Sequence, residues 1–365
     1  MVVKEKKEGK VDNSLAKIKE ILTYAVSKGA SDCHIVPGES PIIRVDGILE
    51  KVPGQASLRP EQSEALIYAT LRPEYATRLK SEKEVDFSFG FDGARVRTNI
   101  YFERGEVAAS YRFITDKIRL FDELRLPPII QEFGNREQGL VIISGPTGHG
   151  KSTTIAALIE YVNQNFSKHI VTVEDPVEYV FVNKKSVVSQ RELGTDTLSF
   201  PRALRSVLRE DPDVVFVGEM RDLETFEAAL TIAETGHLVF TTLHTNNAAQ
   251  TPDRIIDVFP KNQQGQVRQQ VANVLAGIIS QRLIRRAAGK GRIVACEIMV
   301  ANSAVRSLIR EAKTHQLQSV IQTSASEGMI ALDKVLADFV SRGEISLEEA
   351  LKWASDVKQF KQMVF

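Results

Sequence analysis

"LVIISGPTGHGKSTTIAAL", residues 140–158, decides how the rest of the chain is read. An apolar run is followed at once by Gly145, Pro146, Thr147, Gly148, His149, Gly150, Lys151 and Ser152, with Thr153 continuing into a helical pattern. This is the G-x-x-x-x-G-K-[ST] spacing of a phosphate-binding loop. A loop placed between a strand and a helix points successive backbone N–H groups, and the positive end of the helix dipole, at phosphate oxygens. The glycines let the backbone come close. Lys151 would neutralise the β- and γ-phosphates, and the Ser152 hydroxyl would ligate Mg²⁺, so ATP and Mg²⁺ are the expected ligands.

Outward from the loop, residues 140–144, 170–174, 214–218 and 238–242 are short apolar runs, separated by longer stretches with helical spacing. Such alternation predicts an α/β fold with a mostly parallel sheet covered on both faces. Beyond residue 301 the strand-like runs stop, and short helical patterns form a C-terminal region, residues 302–365.

Open sheets of this kind bind ligands at the C-terminal edge of their strands, which singles out the acids there. Glu174 ends "HIVTVE" and opens "EDPVE", and Glu219 ends "DVVFVGE", where Gly218 stands in place of a further acid. One glutamate is expected to orient or deprotonate the attacking water and the other to hold Mg²⁺, directly or through water. In "ETGHLVFTTLHTNNA", His237 and His244 bracket a strand and fall near its opposite ends, with His244 nearer the γ-phosphate.

Before residue 115 the pattern changes. A helix is expected over residues 14–28, with Asn13 or Ser14 as cap and Gly29 as stop. Strand-like runs follow at 33–36, 42–45 and 85–91, then 94–102 and 107–114 around a turn at 103–106. Residues 1–115 therefore read as a small α+β domain ending in a hairpin. Arg97 lies on one strand of that hairpin, Arg104 in the turn and Arg112 on the return strand. Clustered guanidinium groups suit an arginine finger that stabilises a transferred phosphoryl group; a solvated basic face is the plainer reading. Residues 115–137, with Pro127 and Pro128, are expected to form a linker at the start of a second domain, 116–365.

A chain of 365 residues, 43% of them hydrophobic, exceeds what one core usually serves, in keeping with two domains. Its 47 basic residues are offset by 47 acidic ones, which argues against a stable nucleic-acid partner. Cys33 and Cys296 lie far apart, so neither a disulfide framework nor a four-cysteine zinc site is expected. No apolar run approaches a bilayer span, and the charged N-terminus does not read as a secretory signal. The expected location is cytoplasmic, with any membrane association peripheral.

Four motifs in order, "GPTGHGKST", "TVEDPVEY", "DPDVVFVGEMRDLET" and "TGHLVFTTLHT", resemble those of the secretion ATPases, most closely the PilT family of type IV pilus retraction motors. "ASDCHI" and "AVRSLIRE" extend the resemblance over nearly the whole chain. The resemblance implies a RecA-like P-loop ATPase domain, a PAS-like N-terminal domain before it, a homo-hexameric ring and an inner-membrane platform protein as partner. It also implies Glu174 as catalytic base and Glu219 as support for Mg²⁺, His237 and His244 as the His-box residues, and Arg97, Arg104 and Arg112 as arginines that reach the nucleotide. "AVRSLIRE", residues 304–311, resembles the signature that retraction motors need, with Val305 and Ser307 as departures. Its Arg306, Leu308, Ile309 and Arg310 are the expected coupling residues, on an amphipathic helix that also suits packing. Pilus-assembly and type II or type IV secretion motors are the alternative within the superfamily, although two cysteines cannot build the four-cysteine module many of them carry. A DNA-translocating RecA-like ATPase is less in keeping with the charge balance.

Overall fold

The structure, a computed structural model, describes residues 2–45, 47–92, 94–114, 118–289 and 291–364, with side chains from residue 13 onward except that of residue 94. The chain divides into two compact units, Met1–Lys117 and Ile118–Phe365.

The first unit opens with the helix Val2–Ser27. It starts well before residue 14 and runs through Asn13 and Ser14, so neither caps it. Half of the first dozen residues are Lys or Glu, good helix formers whose charges leave no apolar periodicity to announce them. Gly29, at φ +66°, closes the helix in the left-handed region. The strands β1 (Asp32–Ile35), β2 (Ile42–Val45), β3 (Ile48–Lys51), β4 (Glu84–Phe91), β5 (Ala94–Glu103) and β6 (Glu106–Ile114) pair antiparallel in the order β3-β2-β1-β6-β5-β4. Strand β3 lacks the alternation that marks a strand because all four of its residues are exposed. Cys33, Ile35, Val96, Ile100, Ala109 and Tyr111 pack into one core with Ile18 and Leu22 of the first helix and with Leu66 and Leu79 of the helices Pro60–Tyr68 and Pro73–Glu82. The strand period of two then places Asp32, Arg97 and Arg112 on the opposite face.

The second unit is built on β7 (Gly139–Ser144), β8 (His169–Glu174), β9 (Val187–Glu192), β10 (Val214–Val217), β11 (Leu238–Leu243), β12 (Leu275–Arg285) and β13 (Arg292–Val300), in the order β13-β12-β7-β11-β10-β8-β9. Every neighbouring pair is parallel except β12 with β13. This is the α/β, RecA-like architecture expected from the phosphate loop. Alternate residues of one strand enter different cores: Leu140 and Ile142 join one cluster, Val141 and Ile143 another. Both faces are buried, which is why these strands read as unbroken apolar runs.

The stretch expected as a linker is part of the second unit's body from residue 118 onward; residues 115–117 lie outside those described. It forms two short helices, Phe121–Leu124 and Ile129–Gly134, with Pro127 and Pro128 outside both. Phe121, Leu126, Ile130 and Phe133 are buried in the same core as β7. At the other end, the helices Leu332–Ser341, Leu347–Leu351 and Val357–Val364 bury Leu336, Ala350 and Phe360 with Ile284 of β12 and Ile293 of β13.

At Gly277 on β12 an added Cβ would lie 2.3 Å from two ring carbons of Phe133 and 3.0 Å from the Met299 carbonyl oxygen. Gly277→Ala is expected to cost roughly 1–3 kcal/mol of stability by overpacking, and a second change, Phe133→Leu, to restore part of it. Thermal unfolding of the two variants checks both.

Candidate functional site

The phosphate loop joins β7 to the helix Lys151–Asn165, whose cap is Gly150 at φ +82°. Strand β12 lies directly against it. A Cβ at Gly145, where φ is +140°, would fall 2.4 Å from the Gln281 carbonyl oxygen, and one at Gly150 would fall 2.9 Å from Gln281 Nε2. The Gln281 amide donates to the His149 carbonyl (2.8 Å) and accepts from the Thr154 hydroxyl (2.7 Å). The Leu283 N–H donates to His149 Nδ1 (3.0 Å), and Arg292 to the Gly148 carbonyl (3.3 Å). Behind the loop, Trp353 meets the His149 ring edge-on at 5.4 Å, and the Arg282 guanidinium lies 5.6 Å over the indole. Arg282 also donates to the Asn246 carbonyl, in the loop after β11. The Lys151 ammonium is buried and donates to the Gly145 (2.8 Å) and Pro146 (3.0 Å) carbonyls. Its burial lowers its pKa, against the opposing charges of Glu219 and Glu178.

Glu174 ends β8 with only 6% of its surface exposed. Its carboxyl accepts from the Thr172 hydroxyl (2.7 Å), Gln190 Nε2 (3.2 Å) and the Glu178 N–H (3.4 Å). Burial pushes its pKa up to about 7 in spite of these bonds, a value suited to a proton acceptor at neutral pH. Gly218 follows β10 in close contact: a Cβ there would lie 3.3 Å from Glu174 Cα and from the Val173 carbonyl oxygen. That contact leaves little space for an acidic side chain at position 218.

Glu219 differs from Glu174. Burial raises its pKa, but the Arg221 hydrogen bond (2.8 Å), with the charges of Arg221, His244 and Lys151, outweighs burial and holds the carboxyl below its usual range. His244 Nε2 lies 3.1 Å from Glu219 and its Nδ1 3.4 Å from Lys151 Nζ, so His244 joins the loop lysine to the acid. Thr153 reaches the Tyr179 hydroxyl at 2.9 Å, tying the start of the helix to the segment after Glu174. Among the described residues no three His, Cys, Asp or Glu side chains are grouped to hold a metal by themselves. Ser152, the second residue of the helix, and Glu219 instead offer oxygen donors of the kind Mg²⁺ takes together with nucleotide phosphates.

Other expected site residues stand elsewhere. His237 precedes β11, at the opposite end from His244, about 20 Å of strand away. Its Nδ1 lies 3.0 Å from the Ile232 carbonyl and 3.1 Å from the Thr235 hydroxyl, at the end of the helix Leu223–Glu234, so it does not join the phosphate-loop cluster. Arg97 and Arg112 face each other as partners across β5 and β6. Arg104 sits at φ +53° beside Gly105 at the hairpin tip, on the order of 20 Å along the strands, so only two of the three arginines are grouped. All three belong to the first unit.

"AVRSLIRE" divides within its own helix, Ser303–Arg310. The spacing predicts Arg306 and Arg310 together on one face, but Arg306 turns inward. It donates to the Ala272 (2.6 Å), Leu275 (2.7 Å) and Ala301 (3.0 Å) carbonyls and to that of Asn273, closing the C-terminal end of the helix Gln264–Val274. Ile309 is buried and Leu308 packs partly against the core, whereas Arg310 is exposed.

Thr172, Gln190, Tyr179, Arg221 and Gln281 complete the cluster and escape the sequence reading. Arg221 carries a local signal, two residues beyond Glu219. Gln190 and Gln281 carry none, because the strands that bring them in are distant in sequence.

A family model described as "Type II/IV secretion system protein" matches residues 121–352. The chain is 45% identical to "Type IV pilus retractation ATPase PilT" of Pseudomonas aeruginosa, over 94% of this chain and 99% of that protein. It is 44% identical to a "Twitching motility protein" of Neisseria gonorrhoeae, over 87% of this chain and 85% of that protein. The solved structure described as the pilus retraction motor PilT with bound ADP superimposes with a TM-score of 0.89 at 46% identity, covering 94% of this chain and 98% of that one.

With Glu174 ionising near pH 7 in the folded chain and near 4.5 unfolded, the unfolded chain loses its proton first as pH rises. This group's contribution to stability therefore falls between about pH 4.5 and 7, and Glu174→Gln should remove that component from a pH series of chemical denaturation curves. Arg306→Ala, which orphans helix-end carbonyls, is expected to cost roughly 1–3 kcal/mol, while Arg310→Ala stays within about 0.5 kcal/mol. Denaturant melts of the pair measure the contrast.

Proposed function

The chain belongs to the PilT family of type II/IV secretion ATPases, and from that premise we propose that it hydrolyses ATP to drive retraction of a type IV pilus. The observation that carries the chemistry is the convergence, at one edge of the second sheet, of the phosphate loop, the buried Glu174 and the Glu219–His244–Lys151 cluster. The loop amides and Lys151 hold the triphosphate. Glu174 accepts a proton from the attacking water while the new oxygen–phosphorus bond forms and the bond to the β-phosphate oxygen breaks, releasing ADP and phosphate. Mg²⁺, held by Ser152 and Glu219 with phosphate oxygens, would neutralise charge on the phosphates. His244 spans Lys151 and Glu219, the placement of a group that registers whether the terminal phosphate is present.

Arg97 and Arg112 are the arginines we assign to the transferred phosphoryl group, supplied by a neighbouring copy in a homo-hexameric ring. A ring in which each site is completed by its neighbour couples hydrolysis to assembly. Arg310, outward-facing on "AVRSLIRE", is our choice for the residue that passes the motion on to an inner-membrane platform protein. Among the described residues no helix is long and apolar enough to cross a membrane, so contact with the membrane is assigned to that platform.

In the native host lacking this gene, excess pili that fail to retract are expected. Wild type restores retraction. Lys151→Ala fails and has lost hydrolysis, whereas Arg310→Ala fails while hydrolysing at close to the wild-type rate. Loss of surface pili on deletion would make the protein an assembly motor instead. Pilus counts by microscopy, with ATPase rates of the purified variants, decide it.

A further inference from the structure

Five residues form one row across the first sheet as successive strand partners: Arg44 on β2, Asp32 on β1, Arg112 on β6, Arg97 on β5 and Ser88 on β4. Three are cationic and one is an acid. Asp32 is only 6% exposed, although its strand face lies opposite the core. Its carboxylate accepts from Arg112 Nε at 2.8 Å and from the Ser31 hydroxyl at 2.8 Å, with Arg44 Nε at 4.0 Å. Burial raises its pKa, but the Arg112 and Ser31 bonds and the Arg112 charge outweigh burial and hold the group below its usual range. It is therefore an anion at neutral pH.

The form of the Arg112 bond matters. A guanidinium has five N–H donors, and the Asp32 bond engages the one on Nε, so the terminal amino groups take no part in it. The Arg112 side chain is 64% exposed. Directly across the hairpin stands Arg97, and like charges on facing strand residues repel at a Cβ separation of about 5 Å. A buried anion on the far side of Arg112 offsets that repulsion and fixes one of the two forks. The arrangement matches what an oxyanion such as a phosphoryl group requires of paired planar guanidinium groups.

We propose that Asp32 is a positioning residue for phosphoryl transfer: it aims the terminal amino groups of Arg112 and permits Arg97 to stand beside them. This rests on the reading that Arg112 acts on the nucleotide of a neighbouring copy. Asp32 acts through Arg112 and touches no substrate.

The test is steady-state ATP hydrolysis by the full chain with Mg²⁺, comparing Asp32→Asn, Arg112→Ala, the double variant and Arg112→Lys. Asp32→Asn is expected to lower kcat roughly 10- to 100-fold with little change in KM, the cost of a catalytic group displaced by about 1 Å. Combined with Arg112→Ala it should cost nothing further, since its effect runs through that arginine. An Asp32→Asn enzyme at the wild-type rate, or one that loses the same factor when Arg112 is already alanine, overturns the inference. Arg112→Lys keeps the charge without the Nε bond, and is expected to be nearly as slow as Arg112→Ala. Its full activity would also overturn the inference, even if Asp32→Asn fails to fold. A wild-type rate for Arg112→Ala would instead remove the arginine assignment on which this rests.

Discussion

The site takes its shape from the pressure of β12 against the phosphate loop. The Gln281 carbonyl oxygen sits where a side chain at position 145 would begin, and its amide sits where one at 150 would begin. Only a backbone free of Cβ, able to hold φ of +140° and +82°, can follow that path. The same contact supplies loop hydrogen bonds through Gln281 and Leu283, and Arg292 of β13 adds another. A loop held this way meets its ligand already ordered, so little binding energy is lost to fixing it.

Two carboxyls serve this loop, and their surroundings push them apart. Glu174, walled in by β8, Gln190 and the close approach of Gly218, has its pKa pushed up to about 7. Glu219, with Arg221 and His244 beside it, stays ionised. One residue type thus carries a pKa suited to the proton acceptor proposed for Glu174 in one place and a fixed negative charge in another.

Much of this was legible in the chain itself. The phosphate loop, the four apolar strands around it and the placement of Glu174, Glu219 and His244 at strand ends all follow from local pattern, because buried parallel strands and glycine-rich loops leave local signatures. Strands β9, β12 and β13 did not announce themselves, and with them went Gln190 and Gln281, whose roles exist only through pairing of distant segments. Arg306 was misleading for a related reason. Its spacing matched Arg310, but four backbone carbonyls from other elements claim its guanidinium, and helical periodicity carries no record of them. The start of the first helix was hidden by charge, since a stretch rich in Lys and Glu carries no apolar stripe for periodicity to find.

Trp353 is the chain's single tryptophan, and it stands edge-on to His149 within the phosphate loop, with Arg282 over its face. Indole emission responds to a neighbouring imidazole and to a cation on its ring. The protein thus carries its own optical reporter at the nucleotide loop, free of background from other tryptophans. Arrival and departure of unlabelled nucleotide can be timed by stopped-flow fluorescence on the unmodified chain, which separates the binding steps of a motor from its slower mechanical ones.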